Sequence, residues 1–340
     1  MEYKQLGKTG VLVSELCLGA MTFGGKGMWE AIGKMQQDEV NKLIKTSIES
    51  SINFIDTANA YSEGLSEILL GNALKQLGIN RQQIFIATKV RIRMGPGANQ
   101  VGLSRLHIAD SINDSLQRLQ LQHIDLLYIH GVDPLTAIEE TMRGLEDAVH
   151  SGKVRYLGIS NHPAWMVVKA NSFAEKMGWT KFVALQNYYS IAGRDIEREI
   201  VPMALSEGLS LMPWSPLAGG FLSGKFTRHN EKAGDSRRDN FDFPPVNKVK
   251  AYDIIDLMLE IGKQHNASVA QVALAWMLKK RAVTSIIIGA KRQEQLVDNI
   301  AATNLHLTIE ETKKLDDISA LAPEYPGWMV ERQLQGRMPG

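Results

Sequence analysis

Four residue types that could move a proton together stand at or just beyond the ends of three apolar runs. They are Asp56 and Tyr61 in Asn53-Phe54-Ile55-Asp56-Thr57-Ala58-Asn59-Ala60-Tyr61, Lys89 in Ala87-Thr88-Lys89, and His130 in Tyr128-Ile129-His130. A free phenol, with a pKa near ~10, exchanges protons poorly at neutral pH, but a neighbouring ammonium favours the phenolate and brings that value down. Lys89 can supply that charge to Tyr61. Asp56 can pair with Lys89 and keep it ionised in a partly desolvated site, while His130 can hydrogen-bond a substrate oxygen or share the proton. Taken singly, each has a blander reading: a carboxylate capping a loop, a lysine snorkelling to solvent, a histidine satisfied in the core.

These residues need strands that converge at one end. Eight short apolar runs recur: Leu16 to Phe23, Asn53 to Thr57, Ile84 to Val90, Ile124 to His130, Val154 to Ser160, Phe182 to Gln186, Leu209 to Trp214 and Ser285 to Gly289. Between them lie helical segments: Asp38 to Glu49, Ser66 to Gln76, Leu106 to Leu119, Ala137 to His150, Ala164 to Met177, Ile196 to Ser206 and Gln293 to Ala301. Such alternation predicts parallel pairing through helical crossovers, and near-continuous apolar runs suit strands covered on both faces. A doubly wound open sheet would carry G-x-G-x-x-G after its first strand. Here that turn reads Gly24-Gly25-Lys26-Gly27-Met28-Trp29, which lacks the third glycine. The fold expected is α/β, a (β/α)8 TIM barrel forming one domain over residues 1–340.

Met1 to Val13 reads as a hairpin turning at Lys8-Thr9-Gly10 that could plug the N-terminal mouth, and Thr227 to Pro245, with Arg237-Arg238-Asp239, as a long loop over the C-terminal face. Lys248 to Gln264, Val269 to Lys279 and Ile309 to Ala320 complete the helices. Barrel active sites lie at the C-terminal strand ends, where the four residues stand.

Composition narrows the function. Lys and Arg number 38 against 37 Asp and Glu, a net charge of +1, which argues against a dedicated nucleic-acid binder or a polybasic membrane-surface protein. One cysteine, Cys17, excludes an intramolecular disulfide and a Cys-rich metal site, and fits a reducing compartment. The charged start, Met-Glu-Tyr-Lys-Gln-Leu-Gly-Lys, and the lack of ~18 uninterrupted apolar residues lead us to expect a soluble cytoplasmic protein. No H-E-x-x-H, P-loop or G-x-S-x-G is present, so a metal-free site is expected.

At these residues the sequence resembles the aldo-keto reductase superfamily. The likeness runs from Leu16-Cys17-Leu18-Gly19-Ala20-Met21 through Asp56-Thr57-Ala58-Asn59-Ala60-Tyr61 and Gly158-Ile159-Ser160-Asn161 to Gly289-Ala290-Lys291-Arg292. The resemblance implies a barrel with a nicotinamide cofactor, Tyr61 as general acid, Lys89 and Asp56 tuning it, and His130 orienting a carbonyl. Ser160, Asn161 and Gln186 match the family's carboxamide ligands, and Trp214 stands where an aromatic ring stacks on the nicotinamide, often a tyrosine in the family. The run Ser215-Pro216-Leu217-Ala218-Gly219-Gly220-Phe221-Leu222-Ser223-Gly224-Lys225 corresponds to a phosphate-contacting loop, which makes Ser215, Leu217, Gly219 and Lys225 cofactor candidates. Gly289, Lys291 and Arg292 would take the adenosine end, with Gln295 and Asn299 near the adenine. Two cations at a helix start suit a ribose 2′-phosphate, hence NADPH/NADP+ rather than NAD.

The implied reaction is reversible reduction of an aldehyde or ketone to the alcohol. Met21, Phe23, Trp29, Arg91 and Trp328 are candidate walls for a small-molecule carbonyl or alcohol substrate, and apolar walls would suit a bulky or aromatic one. Two other readings stay open: a cofactor-binding regulatory or redox-sensor subunit with little turnover, and an isomerase or aldolase using Lys89 as a Schiff-base amine. Oligomeric state and the direction of reaction in the cell are not legible in the sequence.

Overall fold

Apolar, β-rich runs become strands wherever their two faces can both be covered, and the computed structural model, which describes residues 1–230, 238 and 241–337, follows that rule. Two short strands come first, β1 (Tyr3–Gln5) and β2 (Leu12–Ser14), paired antiparallel with Lys4 opposite Val13. Then follow β3 (Leu16–Gly19), β4 (Phe54–Asp56), β5 (Phe85–Val90), β6 (Ile124–Ile129), β7 (Val154–Ser160), β8 (Phe182–Tyr188), β9 (Ser210–Trp214) and β10 (Ile286–Ile288). These eight form one parallel sheet in the order β10-β3-β4-β5-β6-β7-β8-β9. Leu211 closes it, since its N–H donates to Ala282 O at 3.3 Å and its carbonyl accepts from Thr284 N at 2.9 Å. The result is the expected (β/α)8 barrel with an N-terminal hairpin.

The crossover helices are α1 (Gln37–Glu49), α2 (Leu65–Gln76), α3 (Arg105–Leu119), α4 (Ile138–His150), α5 (Ala164–Met177) and α6 (Ile200–Glu207). Next come α7 (Lys248–His265), α8 (Val269–Leu278), α9 (Gln293–Ala301), α10 (Ile309–Ser319) and α11 (Gly327–Gln335). Their starts are written locally: Ser104 Oγ accepts from His107 N ahead of α3, and Thr308 and Glu311 cap each other at the start of α10. α5 and α6 stop at Gly178 and Gly208, both at positive φ.

Side chains along a strand alternate between faces. Outward residues such as Ile55, Ile86, Leu127, Ile159, Leu185 and Ile288 join the helices in the larger core. Inward residues build a second, smaller core of Cys17, Phe54, Phe85, Ala87, Leu126, Tyr128, Ala184, Met212 and Ile287. Leu6 and Val13 of the hairpin belong to it, so β1 and β2 plug the N-terminal mouth. Above that apolar layer, at the C-terminal strand ends, the same inward register carries Asp56, Lys89, Ser160, Gln186 and Trp214.

The structure corrects several boundaries. The first strand ends at Gly19 rather than Phe23, and a 3-10 turn follows at Ala20–Thr22 because Thr22 Oγ1 is tied to Ala290 O at 2.9 Å. The helix expected from Ile196 begins at Ile200, behind a separate turn at Asp195–Glu197. α11 was not anticipated. In the loop from Thr227 to Pro245, Arg237 and Asp239 lie outside the described residues. Arg238 is buried and donates to Ala218 O at 2.6 Å and Pro244 O at 2.9 Å, fastening this segment to the glycine-rich loop.

Candidate active site

Parity and strand length put three of the four proton-handling residues on neighbouring strand ends. Asp56 is the last residue of β4, Lys89 the penultimate residue of β5, and His130 follows β6 directly. Tyr61 arrives by a short excursion: after β4, Thr57 N and Asn59 N hydrogen-bond to Ala87 O and Lys89 O, which extends pairing with β5, and Tyr61 then opens a 3-10 turn.

Lys89 and Asp56 are both almost wholly buried. Lys89 Nζ donates to Asp56 Oδ2 at 2.5 Å, to Thr57 O at 2.7 Å and to Tyr61 Oη at 3.1 Å. All three ammonium protons are therefore used, one of them on the phenol oxygen. Burial pushes Asp56 above the usual carboxylate range, against the pull of Lys89 and of Gln186. Burial alone would lower Lys89, but Asp56 and Tyr61 outweigh it and hold the amine above its ordinary value, hence protonated. The His130 ring lies 5.8 Å from that of Tyr61, edge to face. Burial, then the charges of Lys89 and Arg91, depress His130 well below the usual imidazole value, so it is neutral near pH 7. Its Nδ1 is buried with no partner among the described residues.

Ser160 ends β7 and donates to Gln186 O at 2.7 Å, while Gln186 Nε2 donates to Asp56 Oδ1 at 2.8 Å. Asn161, at φ 57, donates to His130 O at 3.0 Å and to Ser160 Oγ at 2.9 Å, and accepts from Trp214 Nε1 at 3.0 Å. Trp214 closes one side of the mouth, with Phe243 stacked on it at 5.7 Å and Tyr188 tilted against it at 5.2 Å.

The loop after β9 turns through positive φ at Ser215, Ala218, Gly219 and Gly220, with Leu217 between them. Such a backbone can turn successive amides toward an anion. Lys225 closes the same loop, half-buried. After β10, which closure of the sheet sets beside β9, Gly289 has open space where a side chain would be, Gln295 accepts from Lys291 N at 2.9 Å, and Asn299 donates to Gly289 O at 3.5 Å. Gln295 and Asn299 thus shape the turn that presents Lys291 and Arg292 ahead of α9. A cleft of about 700 Å³ separates Lys291 from the 27–35 loop, with Met28, Lys34 and Glu39 among its walls.

The expected walls fare unequally. Trp29 packs edge-on against Tyr61 at 4.9 Å, and Met21 is half-buried. Arg91 lies just beyond β5 at φ 145, a strained value for a non-glycine residue, and donates from Nε to Val132 O at 3.0 Å. Phe23 is buried in the layer between barrel and helices and presents no surface to a ligand. Trp328 is on α11, which buries none of its residues, and its ring meets Tyr325 rather than the tetrad. Sequence reading missed Tyr128 and Asn59, both wholly buried, with the Tyr128 hydroxyl and the Asn59 amide unpartnered. Alternation could have found Tyr128, two residues before His130. Among the described residues no cluster of His, Cys, Asp or Glu could hold a metal ion, and no helix is long and apolar enough to cross a membrane.

Residues 15–320 match the profile of the Aldo/keto reductase family. Norsolorinic acid reductase of Aspergillus flavus is 37% identical over 326 residues, covering 93% of this chain and 80% of its own. Versiconal hemiacetal acetate reductase of Aspergillus parasiticus is 35% identical over 350 residues, covering 96% and 99%. The aryl-alcohol dehydrogenase [NADP(+)] of Phanerodontia chrysosporium is 33% identical over 329 residues, covering 93% and 85%.

Proposed function

The chain belongs to the aldo/keto reductase family, and from that premise we propose that it is an NADPH-dependent reductase of aromatic aldehydes or ketones, with Tyr61 as the proton donor. The observation that carries this reading is the buried chain Asp56–Lys89–Tyr61 beside a neutral imidazole. An ammonium proton directed at the phenol oxygen stabilises the phenolate left when Tyr61 gives up its proton to a developing alkoxide. Neutral His130 can hydrogen-bond the carbonyl oxygen without bringing a charge into the site. Trp29 and Trp214 offer flat apolar walls, which suits an aryl substrate, as does the name of the Phanerodontia relative.

The residues present fit a dinucleotide. The partly exposed Trp214 ring, the positive-φ loop from Ser215 to Lys225 and the cleft beside Lys291 offer ring, amide and cation sites. When bound, the cofactor supplies a hydride. Ser160, Asn161 and Gln186 would orient its carboxamide end, and Lys291 and Arg292 a 2′-phosphate. Fluorescence titration tests this: NADPH is expected to bind at least tenfold tighter than NADH, with the difference abolished in Lys291→Ala/Arg292→Ala. Binding of neither cofactor would overturn the reductase reading, and equal binding would remove the NADP preference.

A further inference from the structure

Gln186 lies 130 positions from Asp56 in sequence, yet its Nε2 is 2.8 Å from Asp56 Oδ1 in a buried contact. An ionised carboxylate only accepts, so the amide nitrogen must face it. The other carboxylate oxygen is taken by Lys89, so among the described residues Gln186 supplies the one neutral donor to this anion. Gln186 is itself almost wholly buried, and the same side chain stands beside the Tyr128 hydroxyl. We propose that Gln186 is a positioning residue that keeps Asp56 ionised, and through Asp56 and Lys89 sets the proton-donating state of Tyr61. This role is separate from any contact with a cofactor, and only its catalytic consequence rests on the reductase reading.

The groups around Asp56 agree with this assignment. Among the described residues Lys89 on β5 is the only cation bonded to it, Tyr61 lies beyond Lys89, and Cys17 on β3 and Tyr128 on β6 are buried neutral groups whose ionisation Asp56 opposes. The Tyr128 ring lies against Gly158, where a Cβ would come within 2.3 Å of it, and its hydroxyl faces the Gln186 side chain.

The test uses cofactor-free protein. Gln186→Met removes the donor at similar volume, and its melting temperature is compared with wild type from pH 8 down to the lowest pH at which both still fold cooperatively. The donor acts on the charged carboxylate, so the deficit should be largest at pH 8 and shrink as Asp56 takes up a proton. A deficit equal at every pH overturns the proposal. Gln186→Glu provides a second variant: two carboxyls sharing a proton should be tolerated at pH 5 and strongly destabilised at pH 8, and a pH-independent effect again overturns it. Ser160→Ala, which does not touch Asp56, should weaken NADPH binding with a pH-independent melting difference. With substrate and saturating NADPH, Gln186→Met should lose its turnover about one pH unit above wild type as pH falls, the size of one hydrogen bond to a charged group. Parallel profiles would overturn the catalytic consequence. Failure of wild type to bind NADPH would overturn the reductase reading alone, because the melting comparison does not depend on it.

Discussion

The barrel contains two carboxylate–cation pairs built on its strands, one at each end. At the N-terminal end Asp125 of β6 accepts from Arg81 at 2.6 Å and from Ile86 N at 2.7 Å, and its other oxygen lies 3.5 Å from His123. The Arg81 and Asp125 side chains keep 27% and 12% of their exposure, and Arg81 also holds Ile84 O and His123 O. At the C-terminal end the Lys89 and Asp56 side chains keep 0% and 2%, and the third arm of the lysine reaches a phenol instead of backbone. Around this second pair lie the unpartnered polar atoms of Asn59, Tyr128 and His130. The difference teaches what each pair is for. Arg81–Asp125 closes its hydrogen bonds on backbone and stitches strand starts together, as a stabilising device does. Lys89–Asp56 accepts burial and leaves polar neighbours unsatisfied, a cost that fits the catalytic role proposed for this end.

The largest effect that separates the two ends is expected at Tyr61. Tyr61→Phe should lower turnover by about 10²- to 10⁴-fold, the range of one general acid, while NADPH binding stays within about twofold. Equal loss of both would make Tyr61 a packing residue and erase the contrast. Asp125→Ala should do the opposite, costing about 1–3 kcal/mol in urea unfolding, because Ile86 N and Arg81 lose their acceptor, with turnover per folded molecule nearly unchanged. A large loss of turnover there would mean that the two ends are not independent.

Smaller effects sharpen the comparison. Tyr128→Phe removes a buried, unpartnered hydroxyl and should leave stability equal or raise it by roughly 1 kcal/mol, whereas a marked loss would reveal a bond that Tyr128 makes in solution. His130 bears on pH. Its folded value is depressed, so as pH falls through the ordinary imidazole range the unfolded chain takes the proton first and the native state loses stability. The melting temperature of His130→Gln should therefore fall less steeply than that of wild type between pH 7 and pH 5. Identical slopes would mean that His130 titrates normally.

Much of the fold was legible because apolar runs and caps are local. β7 and α5 run over the expected residues, and most other ends fall within one or two positions. Where reading failed, the cause was distant. The first strand stops at Gly19, where Thr22 is held by Ala290 from far along the chain, and α11 went unread although it forms, burying none of its residues. Phe23 looked like a mouth residue only while the strand was assumed to reach it.

By itself, the sequence determined that eight inward-facing strand ends would exist and that Asp56, Lys89 and His130 would stand at three of them, because side-chain alternation is a property of each strand alone. Only the tertiary structure decided which of those ends face one another. Closing the sheet at Leu211 brings β8 across the barrel from β4, so Gln186 meets Asp56, while the neighbouring ends of β6, β7 and β9 set Asn161 among His130, Ser160 and Trp214. The Gln186–Asp56 contact depends on strand register and closure, which couple residues 130 positions apart and leave no periodic trace in the chain.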